Sequence, residues 1–113
     1  MMRSTLPLGL ALLFAACGNP EEALKGTTGH TPARVDVSIK QMKFLPDSVH
    51  VHRGDTVVWT NDDVVDHDVT ALPDSAWQSP LLHPGDRWTH VVQEGGDYFC
   101  SIHVVMRGVL MAH

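Results

Sequence analysis

The chain has 113 residues, 43 % of them hydrophobic and 19 % charged, enough for one compact domain and too few for two. Eight lysines and arginines against 13 aspartates and glutamates leave a formal charge of −5, and with no basic block a nucleic-acid partner is excluded. Two cysteines permit at most one disulfide, so the chain is no disulfide-stapled scaffold, while eight histidines direct attention to metal.

Residues 1–16 have the shape of an export signal: Arg3 supplies the positive charge, and an apolar run follows from Leu6, interrupted by Pro7 and Gly9. That run is too short to span a bilayer. It ends in Leu13-Phe14-Ala15-Ala16-Cys17, which resembles the lipobox of bacterial lipoproteins, with Phe14 where leucine is usual. The resemblance implies cleavage before Cys17, acylation of that cysteine, and an exported protein held on the periplasmic or outer face of the cell envelope by lipid and not by a helix. Residues 17–34 are then the lipidated cysteine and a flexible tether, rich in Gly, Pro and Thr and without apolar periodicity.

From Val35 the period becomes two. Val35, Val37 and Ile39 alternate with Asp36, Ser38 and Lys40, and Val49 and Val51 alternate with His50 and His52, as half-buried strands do. The turn Arg53-Gly54-Asp55 leads into the β-branched run from Thr56 to Thr60, and a short strand is expected between Asp68 and Leu72. Pro73, Pro80 and Pro84-Gly85 punctuate a loop-rich stretch. Extended pattern resumes from Asp86 to Val92, then from Asp97 to Cys100, and closes from Val109 to Ala112. Residues 35–113 therefore read as one all-β domain of about seven to eight short strands in an antiparallel sandwich or barrel.

The chemistry concentrates near the end of this domain. Cys100, His103 and Met106 place a thiolate, an imidazole and a thioether within one short segment. Cysteine with two histidines and a weak axial methionine describes a blue-copper electron-transfer site, so a second histidine is needed, and His67, after a strand and a polar turn, is the best candidate. His30, His50, His52, His83, His90 and His113 read as surface or strand-face residues, and Met42 and Met111 as packing.

At these residues the chain resembles the cupredoxins of the plastocyanin, pseudoazurin and amicyanin group, and amicyanins most of all. The resemblance runs through Met42-Lys43-Phe44 with Pro46, Gly54-Asp55-Thr56-Val57, Trp59-Thr60-Asn61, His67-Asp68-Val69, Pro84-Gly85-Asp86 and Gly96-Asp97-Tyr98-Phe99-Cys100, then His103, Met106, Arg107 and Gly108. The short interval from His103 to Met106 is of the amicyanin type. The resemblance implies a cupredoxin-like Greek-key sandwich binding one copper ion through His67 Nδ1, Cys100 Sγ and His103 Nδ1, with Met106 Sδ axial. It also implies that Asn61 braces the loop carrying Cys100. Ile102 departs from the pattern, standing where proline is usual and leaving one more N–H available.

The expected function is electron transfer by a monomeric carrier, not an enzyme. Its partners would be exported redox proteins such as c-type cytochromes or an electron-donating dehydrogenase. Val104, Val105 and Leu45 would form an apolar collar around His103, and Asp62, Asp63, Asp66 and Asp68 an acidic cluster that steers a basic partner. Two other functions compete: a copper storage or delivery module of the envelope, and a metal-free sandwich used for adhesion.

Overall fold

A computed structural model describes residues 29–113. The signal, Cys17 and most of the tether lie outside the described residues, and the compact unit considered below is Pro32–His113. Eight strands follow in chain order: β1 (Arg34–Lys40), β2 (Lys43–Leu45), β3 (Ser48–Val51), β4 (Thr56–Asn61), β5 (Thr70–Ala71), β6 (Arg87–Val91), β7 (Gly96–Cys100) and β8 (His103–Ala112). They form two four-stranded sheets, ordered β2-β1-β4-β6 and β3-β8-β7-β5.

The pairing is mixed where the sequence pattern suggests antiparallel strands throughout. β1 runs parallel to β4, and β3 runs parallel to β8. The cause lies after the β1–β2 hairpin, where the chain crosses to the other sheet as β3 and then returns as β4 on the far side of β1. Alternation alone cannot reveal this, because the side-chain period is two in both pairings. The strand boundaries differ in one place that matters. β8 begins at His103, well before Val109, because only Ser101 and Ile102 separate Cys100 from His103 and those two residues face each other in the β7–β8 register.

Burial follows the alternation. Val37 and Ile39 from β1, Val49 and Val51 from β3, Val57 and Trp59 from β4, and Tyr98 and Cys100 from β7 meet in one cluster between the sheets. Trp59 is fully buried at its centre, packing edge-on against Tyr98 at 5.4 Å and against the flanking Trp77 and Trp88 at 5.9 and 5.8 Å. Burial pushes the Tyr98 hydroxyl up to about 12, so it stays neutral and compatible with the apolar interior. The Tyr98 ring lies over the backbone of Gly108, its register partner on β8.

A methyl group on residue 108 would occupy the space of that ring. Gly108→Ala is expected to cost about 1–3 kcal/mol by overpacking, read from urea unfolding. An unchanged midpoint would show that Tyr98 can move aside.

Candidate metal centre

Two segments far apart in the chain carry the donor atoms. His67 lies in the connection from β4 to β5, anchored by reciprocal backbone hydrogen bonds with Leu82, His67 N–H to Leu82 O at 3.0 Å and Leu82 N–H to His67 O at 2.7 Å. Cys100 ends β7 and His103 opens β8. His67 and Cys100 are fully buried and His103 is half-exposed. Met106, three residues further along β8, is buried in the same cluster as Cys100.

The donor atoms converge. Cys100 Sγ lies 3.8 Å from His67 Nδ1 and 3.7 Å from His103 Nδ1, and the two nitrogens are 3.2 Å apart. A point equidistant from all three lies about 2.1 Å from each, matching the roughly 2.0–2.3 Å bonds that nitrogen and sulfur make to a first-row metal ion. Three lone-pair atoms crowded together without intervening donors form a poor arrangement by themselves and a good one around a cation. The residues present therefore fit the ion that their chemistry implies: thiolate, two imidazoles and a nearby thioether suit copper.

The segments around these atoms are held by carboxylates. Asp68 is buried; its N–H donates to Cys100 Sγ at 3.4 Å, while its carboxylate accepts from Ser101 N–H at 2.8 Å, from Thr70 Oγ1 at 3.0 Å and from the Ser101 hydroxyl. It thereby joins the His67 segment to the turn between Cys100 and His103. Asp63 Oδ2 receives the Met42 N–H at 3.0 Å and contacts His67 Nε2 at 2.8 Å, while Asp63 Oδ1 receives the Val64 N–H at 2.9 Å. With Nε2 donating to Asp63, the His67 tautomer leaves Nδ1 with its lone pair toward Cys100. The Met42 N–H foremost, and the His67 ring next, hold the Asp63 carboxyl down to about 2.

Two expectations are corrected here. Asn61 is fully buried, but its amide donates to Val65 O and Leu82 O, both at 2.9 Å, and its oxygen accepts the Asp63 N–H at 2.9 Å. It braces the loop that carries His67, and the turn after Cys100 is held by Asp68 instead. The acidic cluster is also not one exposed surface. Asp68 faces inward and Asp63 is engaged with His67, while Asp62 is exposed and accepts from Ser38 Oγ at 2.6 Å. Asp66 pairs with His83 Nδ1 at 2.9 Å. Ile102, Val104 and Val105, next to His103 in the chain, are exposed, as are Leu45, Val64 and Val65.

The Asp66 contact raises the His83 pKa above its ordinary 6.5, first through the hydrogen bond and then through charge. Raised in the folded state, this pairing contributes stability fully below pH 6.5 and loses it as pH rises through the folded value. An NMR titration should find His83 above 6.5 and Asp66→Asn should bring it down; a His83 titration indifferent to that substitution would show that the contact does not persist in solution.

Residues 32–112 match the family described as copper binding proteins, plastocyanin/azurin family. The chain is 32 % identical to amicyanin from Paracoccus versutus over 80 residues, covering 66 % of this chain and 61 % of that protein. It is 28 % identical to amicyanin from Paracoccus denitrificans over 120 residues, covering 95 % and 92 %. Among solved structures, a purple cupredoxin from Nitrosopumilus maritimus superposes with a TM-score of 0.65 at 28 % identity, over 70 % of this chain and 99 % of that one. With the matched region spanning both sheets and all three converging donors, the chain belongs to the plastocyanin/azurin family of copper-binding proteins.

Proposed function

We propose that this protein is a type 1 copper electron carrier whose ion would be held by His67 Nδ1, Cys100 Sγ, His103 Nδ1 and Met106 Sδ. The observation that carries this reading is the common point about 2.1 Å from His67 Nδ1, Cys100 Sγ and His103 Nδ1, a length that suits bonds to a first-row metal ion. Copper in such a site supplies a one-electron couple between Cu(II) and Cu(I). The chain's own residues keep the site nearly unchanged between the two states. Asp68 and Asp63 fix the two donor segments against each other, buried Cys100 and His67 exclude water, and the Asp68 N–H moderates the charge on the thiolate.

His103 is the half-exposed ligand, and the exposed Ile102, Val104 and Val105 beside it in the chain give its part of the molecule an apolar surface. Such a surface suits brief encounters with redox partners, which bury little area. In this reading the partners are exported redox proteins, c-type cytochromes or a dehydrogenase, and Cys17 anchors the carrier to the membrane they share. The protein catalyses no reaction of its own.

The copper-loaded, oxidised full-length protein should show an intense visible thiolate-to-copper band that bleaches reversibly on reduction and is absent in Cys100→Ser. A colourless protein that retains only Cu(I) would overturn the carrier in favour of copper storage or delivery. A second measurement addresses Asp68, whose buried carboxylate is hydrogen-bonded to Ser101, next in the chain to Cys100, and so favours the more positive Cu(II). Asp68→Asn keeps the backbone N–H and removes the charge, so voltammetry should find a higher midpoint potential; an equal or lower potential would refute that electrostatic role.

A further inference from the structure

The parallel pairing of β3 with β8 creates a second group of ligating side chains that the centre above does not use. In that register His50 stands beside Met111 and Val51 beside Ala112. One step further the His113 N–H donates to Val51 O at 2.9 Å, which brings His113 alongside His52. His50 and Met111 are paired in the register, and His52 and His113 are the residues that directly follow β3 and β8. His50, Met111 and His113 are exposed, and His52 is half-buried.

Two of these side chains already touch. His50 Nδ1 and His113 Nε2 are 2.7 Å apart with ring planes only 9° apart, a contact that requires one ring to donate a proton to the other. The His52 ring lies 5.9 Å from that of His113, and the His52 N–H donates to Asp55 Oδ2 at 2.9 Å. Two nitrogens bound to one ion by bonds of about 2.0 Å stand roughly 2.8–4 Å apart. The exposed His50 and His113 rings need to open only slightly to exchange their shared proton for a metal ion.

We propose that His50 and His113, with the Met111 thioether, form a second, surface copper site. Imidazoles suit several first-row ions, but Cu(II) is the tightest among the divalent ones, and a thioether adds preference for Cu(I). The site lies at the opposite end of β8 from His103, and ten residues at about 3.3 Å each put the two roughly 30 Å apart. Copper there neither perturbs the buried centre nor exchanges electrons with it directly. It presents an exchangeable ion on the outer face of the sheet, away from the apolar surface around His103.

The test uses full-length protein already carrying one copper in the buried centre. A second equivalent of Cu(II) should bind with an electron paramagnetic resonance signal of ordinary hyperfine splitting and imidazole nitrogen couplings, leaving the visible band unchanged. His50→Ala with His113→Ala should weaken this second site about ten-fold or more while the visible band reports an intact fold; His83→Ala should leave the second site as it was. Met111→Leu should weaken Cu(I) at the second site and spare Zn(II). Failure to bind a second equivalent, or equal binding in the double variant, would overturn the site, and a Met111→Leu protein with unchanged Cu(I) affinity would remove the thioether from it.

Discussion

Asp68 joins the two halves of the metal centre. Its backbone N–H reaches Cys100 Sγ and its carboxylate receives the N–H and hydroxyl of Ser101, so one residue beside His67 fixes the turn that also carries His103. A carboxylate buried with three donors around it is acceptable because its hydrogen-bonding capacity is met, which is the condition for keeping charge inside a protein.

The rest of the structure gives that link something firm to act on. Asn61 closes the loop behind His67, Asp63 orients the ring and also catches the Met42 N–H in the β1–β2 turn. At Gln41 and Met42 the backbone has φ of 55° and 61°, a conformation that non-glycine residues avoid; a hydrogen bond to one of these two residues therefore anchors a turn that would otherwise be costly. Beneath the centre, Trp59, Tyr98 and the bare backbone of Gly108 pack without space for adjustment. Close packing transmits the geometry of the sheets to the donor atoms, and a site that cannot rearrange suits an ion that changes charge but should not change place.

The two ends of the sandwich differ in chemistry. Around His103 the surface is aliphatic, which favours weak, short-lived contact, whereas the outer face of β3 and β8 gathers imidazoles and a thioether.

Much of the fold was legible in the chain because strands with one buried face announce themselves by alternation, and β1, β3, β4, β6 and β7 follow their patterns closely. Cys100 and His103 come together because only two residues separate them and they pair at the junction of β7 and β8. His67 could be named only as the histidine such a set requires. What the tertiary structure alone decided are relations between distant residues: the parallel register that sets His50 beside Met111, the turning of Asp68 away from solvent to hold Ser101, and the choice of Val65 and Leu82 as partners of Asn61. An aspartate or asparagine after a strand looks the same in sequence whether it faces water or bridges two loops, because the distinction rests on which backbone N–H and C=O groups folding leaves nearby without partners.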